Sequence, residues 1–126
     1  EARVLGDIAR NHVIPTALKY QNTLIENVKG LKDIYGTSFK KYAAEQLILI
    51  EDISARVAAI NSGVTNLINQ RKEANLIEDA EAKAESYCHK VKPYFDTIRY
   101  HCDKLELLID DEIWPLPKYR ELLFTK

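Results

Sequence analysis

Residues 39–71 read FKKYAAEQLILIEDISARVAAINSGVTNLINQR, and side chains that suit a packed interface recur there every three or four positions. The repeating positions are Phe39, Tyr42, Ala43, Gln46, Ile50, Ile53, Val57, Ile60, Val64, Leu67 and Arg71. This spacing matches one face of an α-helix, and the charged residues Glu51, Asp52 and Arg56 fall mostly outside it. It predicts one long helix that packs along its length. Gly63 interrupts the stripe at a cost of about 1 kcal/mol relative to Ala, and we expect it to permit close approach of a neighbouring helix.

A second amphipathic segment precedes this helix. Its apolar positions run from Val4 to Leu31 with helical spacing, and Pro15 interrupts them. Proline removes a backbone donor and clashes with the preceding turn, so Pro15 predicts either a kink or the restart of a helix at its first turn. The clearest break comes at Gly30 and then at Gly36-Thr37-Ser38, because glycine suits the end of a helix and a hydroxyl side chain can cap the next start.

A third segment follows, with a predicted turn near residues 72–75. Asn75 with Glu78 three residues later resembles a capping box, which predicts a helix from Leu76 to about Ile113. Its seam is Ile77, Ala80, Ala84, Tyr87, Val91, Tyr94, Ile98, Cys102, Leu105 and Ile109. Pro93 lies in the middle, where it costs about 3 kcal/mol unless a kink accommodates it. The third helix is therefore predicted to be bent.

These segments together predict an all-α fold. Short links between long stripes favour an antiparallel up-down-up bundle of three long, partly kinked helices, each reaching about 45 Å. A short C-terminal helix is expected to begin at Pro117 and fold back. At this length, residues 1–126 make a single helical domain with its own core.

Composition excludes several classes of partner. The chain is 46% hydrophobic and 29% charged, and its net charge of −1 comes from interspersed residues of both signs. No block of Lys and Arg is present to neutralise phosphates, so nucleic acid is not expected as a partner. No apolar run is long enough to span a membrane. Because Glu1 lies inside an amphipathic pattern, we expect a piece of a longer cytoplasmic polypeptide, with a processed mature protein as the alternative.

The residues that could carry chemistry favour structural roles. Cys88-His89 and His101-Cys102 look like four zinc ligands, but one helix would separate the two pairs by about 20 Å, too far for one ion or for a disulfide. A di-iron bundle needs Glu-x-x-His motifs on two helices, and the sequence has none. No phosphate-binding glycine loop or nucleophile signature occurs. We therefore predict no catalytic, cofactor-binding or metal-binding residues within this chain.

Both ends of the chain carry more specific motifs. Residues 110–124 read DDEIWPLPKYRELLF, and two prolines flanked by aromatic residues predict a fixed ending. Its candidate site residues are Trp114, Pro115, Pro117, Tyr119 and Phe124. They are predicted to form either a lid over one end of the bundle, which we favour, or an anchor into a neighbouring subunit, because Trp, Tyr and Arg dominate interface hot spots.

The ending, residues 7–17 (DIARNHVIPTA) and the following Tyr20-Gln21 together resemble the C-terminal helical region of type III glutamine synthetases, the long bacterial form of that enzyme. The resemblance covers both ends well, and it covers the middle as a helical pattern of suitable length. None of the matching segments belongs to the family's active site, so no catalytic residue is carried over.

The resemblance implies a parent enzyme of nitrogen metabolism that joins ammonia to glutamate with ATP and a divalent metal, Mg or Mn. It further implies a catalytic domain upstream and neighbouring subunits of a cytoplasmic homo-oligomer of stacked rings. The fragment itself is then a non-catalytic appendage that serves folding, oligomer assembly or regulation. The alternative is an independent helical-bundle module that binds a protein helix or a small ligand.

Overall fold

The computed structural model describes residues 2–109 of the chain, and these residues are almost entirely helical and contain no strand. The all-α prediction is confirmed. In chain order the elements are α1 (Ala2–Ile8), a π-turn (Ala9–Val13), α2 (Ile14–Tyr35), a 3-10 turn (Gly36–Ser38), α3 (Phe39–Asn75), α4 (Ala80–Ser86), a second π-turn (Tyr87–Val91) and α5 (Lys92–Leu108).

Two long helices are present in this part of the chain, where three were predicted. They are α2, with 22 residues, and α3, with 37. The third segment is divided into α4, a π-turn and α5, of which α5 is the longest piece at 17 residues. The short helix predicted from Pro117 lies outside the described residues.

A proline follows each π-turn and explains where the helices are interrupted. Pro15 and Pro93 are each the second residue of their α-helix. Just before them, the N–H of Ile14 donates to the carbonyl of Ala9, and the N–H of Lys92 donates to that of Tyr87, five residues back in both cases. The wider turn relieves the clash that a proline ring makes with the preceding turn of an α-helix. Pro15 therefore lies in the first turn of α2, as the restart interpretation predicted, and the chain continues as a helix through it, which the kink interpretation also allows.

The predicted break between the first two segments is confirmed at Gly36 and is wrong at Gly30. Gly36 ends α2 with φ of 59°, a conformation that favours glycine, and α3 begins at Phe39 as expected. Gly30 lies inside α2.

The predicted start of the third segment is also wrong. Asn75 is the last residue of α3, and its side-chain carbonyl accepts a hydrogen bond from the Tyr87 hydroxyl. The N-cap is Asp79, whose carboxylate accepts from the N–H of Ala82 at 2.9 Å, so α4 starts at Ala80 and not at Leu76. Asp and Asn cap helices equally well, and sequence alone does not decide between two such residues four positions apart.

The segments are antiparallel, as predicted, and both outer ones pack on α3. The buried amide of Gln21 donates to the Ile50 carbonyl at 2.9 Å and to Ser54 Oγ at 2.7 Å. The buried core draws on every segment and consists of Ala9, Val13, Ala17, Ile53, Ile60, Val64, Leu67, Ala74, Val91, Ile98, Leu105 and Ile109. The predicted α3 stripe is therefore the central seam from Ile53 onward, whereas Tyr42 near its start is exposed.

Gly63 lies at the closest approach of α3 and α5. A Cβ atom built on Gly63 would lie 3.0 Å from Cγ1 of Ile98, whose side chain is fully buried and would have to shift by a few tenths of an ångström. The expectation that this glycine permits close approach of a neighbouring helix is confirmed. Gly30 offers a contrast, because a Cβ there would have no neighbour within 4 Å.

We predict that Gly63→Ala lowers the free energy of unfolding by about 1 kcal/mol, since overpacking costs about 1–3 kcal/mol and the gain in helix propensity offsets about 1 kcal/mol. Gly30→Ala is the matched control and should raise it by about 0.5–1 kcal/mol. Chemical denaturation monitored by circular dichroism measures both. Equal stabilisation by the two substitutions would contradict the close contact.

Candidate functional site

The far end of the α2–α3 hairpin extends past the last residues of α5. His101 Nδ1 lies 3.2 Å from Arg56 Nη1, which sets the register of α5 against α3. Because antiparallel helices rise equally per residue, Ile109, eight positions after His101, comes level with about residue 48 of α3. The hairpin continues beyond that level as two helices, joined by the hydrogen bond from Gln46 Nε2 to Asn27 Oδ1 at 2.8 Å. We call residues 25–48 the hairpin tip.

Two tyrosines form an exposed aromatic surface on the hairpin tip. The rings of Tyr35 and Tyr42 stack with centroids 3.9 Å apart and an interplanar angle of 17°. Their residues are 42% and 46% exposed. Stacked, partly exposed tyrosines offer a large rigid contact area to a partner at low entropic cost.

Two aliphatic residues of the hairpin tip are exposed as well. Ile34 is 74% exposed and Ile48 is 60% exposed. Neither exposed isoleucine was predicted from the sequence. For Ile48 a signal was present, because residues 47–50 (LILI) are four consecutive apolar residues. One helix face cannot bury four successive side chains, so at least one must point away from the seam.

Lysines accompany the aromatic rings. Lys32 Nζ lies 5.6 Å from the centroid of Phe39, and Lys41 Nζ lies 5.8 Å from the centroid of Tyr42. Both distances are within the range of a cation–π interaction. The hairpin tip is therefore apolar and aromatic with a basic rim, a composition that suits an interface better than a reaction centre.

A polar cluster lies between α3 and α5, outside the hairpin tip, and consists of Asp52, Arg56 and His101. Arg56 Nε is 3.2 Å from Asp52 Oδ1, close enough for an ion pair but without the alignment of a hydrogen bond. Burial lowers the pKa of His101, the Arg56 charge lowers it further, and Asp52 opposes the shift. A neutral His101 can accept a hydrogen bond from Arg56, so the cluster joins the two helices.

Known proteins resemble this chain along its length. A family profile described as the glutamine synthetase C-terminal domain matches residues 1–32. A glutamine synthetase of Bacteroides fragilis is 50% identical over 127 aligned residues, and a type-3 glutamine synthetase of Dictyostelium discoideum is 28% identical over 131. Both alignments cover 100% of this chain. The sequence matches the C-terminal domain of glutamine synthetases.

The chain spans 17% of the length of each of these two relatives. A weaker match, 30% identical over 115 residues, links 86% of the chain to 7% of the RNA polymerase subunit beta′ of a Sulfurihydrogenibium species. Amphipathic helices share residue types at repeated positions whatever their function. A match to so small a part of a long subunit therefore supports no functional inference.

In this chain, the motif of residues 7–17 has a structural role. Ala9, Val13 and Ala17 from the motif are buried against α3, and Pro15 follows the first π-turn. Gln21, just after the motif, holds the register of the α2–α3 hairpin. The segment thus builds the first helix pair.

The candidate lid or anchor residues of the domain, Trp114, Pro115, Pro117, Tyr119 and Phe124, lie outside residues 2–109. The acidic residues Asp110, Asp111 and Glu112 also lie there.

The cysteines and histidines occupy separate surroundings. Cys88 is exposed in the second π-turn, whereas Cys102 is half-buried on α5 against the core. Within residues 2–109 no group of three or more His, Cys, Asp or Glu residues is placed to hold a metal ion. The same part of the chain has no helix with the length and apolarity that crossing a bilayer requires.

We predict that one thiol per chain reacts rapidly with an aromatic disulfide reagent at pH 8. Burial, reinforced by the Asp103 charge, raises the pKa of Cys102 to about 11, so its reactive thiolate is scarce. Absorbance should show one fast thiol in the folded chain and two in denaturant, and Cys88→Ser should abolish the fast phase. Two fast thiols in the folded chain would show that Cys102 is accessible.

Proposed function

We propose that residues 1–126 form a single C-terminal helical domain of a type III glutamine synthetase and serve the assembly of that enzyme. By resemblance, the parent polypeptide is a cytoplasmic ligase that joins ammonia to glutamate with ATP and Mg or Mn. Its catalytic domain lies upstream, and the fragment contributes no catalytic residue. The alignments with two glutamine synthetases cover this chain from end to end, which supports this parentage and disfavours an independent bundle module.

The proposed assembly role rests on the exposed apolar side chains of the hairpin tip. Its stacked tyrosines and exposed isoleucines form an apolar surface that extends beyond the end of α5. Large exposed apolar side chains grouped at one end of a domain are typical of interaction sites. We assign it to a neighbouring subunit of the homo-oligomer, whose contact surface would be apolar with acidic groups opposite Lys32 and Lys41.

We predict that the pair Ile34→Glu and Ile48→Glu, introduced together in the parent enzyme, shifts the assembly toward smaller species. Two buried carboxylates without partners are strongly unfavourable in an interface, whereas in the free domain both positions face water. Light scattering after size-exclusion chromatography measures the assembly, and circular dichroism checks the fold.

Leu76→Glu is the matched control, because Leu76 is 81% exposed and lies in the turn after α3, at the opposite end of that helix. It should leave the assembly size unchanged. If the double variant still forms the intact oligomer, the hairpin tip does not lie in the interface, and the proposed assembly role is wrong.

For the C-terminal segment we propose the lid. Ile109 leaves α5 in an extended conformation, with ψ of 143°, at the level where the hairpin tip loses its third helix. Steps of seven residues along α3 from Gly63 lead to Arg56 and Leu49, so Leu49, which lies apart from the stacked tyrosines, continues the face that α5 covers further along α3. Trp114, Pro115, Pro117, Tyr119 and Phe124 would cover that face. Residues 110–126 are ample in length, since the hairpin tip extends about 15 Å past Ile109.

We predict that Trp114→Ala and Leu49→Ala are energetically coupled in the 126-residue chain. Side chains in contact usually show interaction energies of about 0.5 kcal/mol or more, whereas distant pairs are additive. Trp114→Ala paired with Val4→Ala, whose site is at the opposite end, is the control cycle. Additive effects of Trp114→Ala and Leu49→Ala in the monomer would contradict the lid, and dependence of the melting temperature on concentration would favour the anchor in a second subunit.

A further inference from the structure

A groove with an unusual charge distribution lies at the other end of the domain, between α1 and the last third of α3. Its volume is about 540 Å³, within the range of small-molecule sites. The first π-turn closes one side through Arg10 and Asn11. None of its lining residues belongs to the hairpin tip.

The floor of the groove is apolar. Its accessible apolar surface comes from Ile68 of α3 and Val4 of α1, and the buried side chains of Val64 and Leu67 lie directly beneath. The backbone of α1 comes close to α3 at Gly6, where a Cβ would lie 3.4 Å from Cγ1 of Val64. The floor can therefore contact the hydrocarbon part of a ligand.

The rim is cationic. Arg3, Arg10 and Arg71 line the groove, and Asp7 is the single acidic residue among the lining residues. The Asp7 carboxylate accepts a hydrogen bond from Asn11 Nδ2 at 2.6 Å. The groove thus carries a local excess of positive charge in a chain whose net charge is −1.

The arginines differ in how they are held. Arg10 is fixed in place, because Nε donates to Asn61 Oδ1 at 3.2 Å, and Nη2 donates to the Asn61 carbonyl at 3.3 Å and to the Thr65 hydroxyl. The two ion pairs found within residues 2–109 are Arg56 with Asp52 and Lys92 with Asp96, and both lie elsewhere. Arg3 and Arg71 therefore line the groove without a carboxylate partner in the described part of the chain.

We propose that this groove binds a small organic dianion, a molecule with two carboxylate or phosphate groups joined by a short hydrocarbon body. Guanidinium groups bind both oxyanions through paired N–H donors, and one unpaired arginine on α1 and one on α3 match two anionic ends. The hydrocarbon body lies on the accessible apolar surface of Val4 and Ile68. A bound dianion joins the start of the domain to the end of α3, so the ligand stabilises the folded chain.

The test is a titration of the 126-residue chain with glutarate and with propane-1,3-diyl bisphosphate, two dianionic probes with the same three-carbon body that separate the carboxylate and phosphate sources. The melting temperature should rise along a saturating curve, whereas sodium chloride at equal ionic strength should not reproduce it. Methyl resonances of Val64 and Leu67 should shift in nuclear magnetic resonance spectra along the same curve. A response to glutarate alone assigns the ligand to the dicarboxylates, and a response to propane-1,3-diyl bisphosphate alone assigns it to the bisphosphates.

Arg71→Gln should weaken binding about tenfold or more, since it removes one charge-assisted contact. Arg99→Gln is the matched control, because Arg99 is an exposed arginine on α5. Circular dichroism without ligand checks that each variant is folded, and Arg3→Gln provides a second test from the other wall. The proposal would be wrong if sodium chloride raised the melting temperature equally, or if Arg99→Gln weakened binding as much as Arg71→Gln does. Neither result bears on the assembly role of the hairpin tip.

Discussion

The difference in length between α3 and its neighbours organises the whole domain. With 37 residues, α3 extends about 55 Å, whereas α5, with 17 residues, covers about 25 Å of it. Where three segments overlap, the α3 stripe is buried and the core is continuous. Where α5 has ended, the same helix presents Tyr42, Leu47 and Ile48 to its surroundings. One continuous amphipathic helix therefore provides both the core of the domain and the surface available for contacts.

A second constraint is that two prolines lie inside helical segments. Each is accommodated by a π-turn that ends just before the proline-bearing helix, so the backbone donors just upstream are satisfied by carbonyls five residues back. The π-turns also carry Ala9, Val13 and Val91 into the core. The prolines thus change the path of the outer segments without removing them from α3, and they leave α3, which has no proline, as the regular element of the bundle.

Much of the fold could be predicted from local patterns, because burial on one face of a helix imposes a period that the sequence records. The stripe of α3, the stop at Gly36 and the close approach at Gly63 all follow from short-range chemistry. The start of α4 could not be fixed, since Asn75 and Asp79 are both good caps and the choice depends on how far α3 stays packed. The continuation of α2 through Gly30 is likewise decided by packing further along the hairpin.

The candidate sites were less accessible to sequence reasoning. The hairpin tip exists because α5 stops beside the middle of α3, and the arginine groove combines Arg3 and Arg10 with Arg71 through antiparallel packing. The groove has no local signature, since Arg3 and Arg71 are 68 positions apart and meet only after folding, whereas the hairpin tip had one local signal in the apolar run of residues 47–50. The motif of residues 7–17 was recognisable as a resemblance, yet its role in forming the first helix pair required the contacts.

Gln21 has a consequence for the uniqueness of the fold. An apolar stripe that repeats every three or four residues would tolerate sliding by one helical turn, because similar side chains would meet again. The buried amide of Gln21 would not, since a slip of one turn separates it from both the Ile50 carbonyl and Ser54 Oγ and leaves a polar group unsatisfied in the interior. A single glutamine thus specifies the register of α2 against α3. Hydrophobic burial alone would leave several registers nearly equal in free energy.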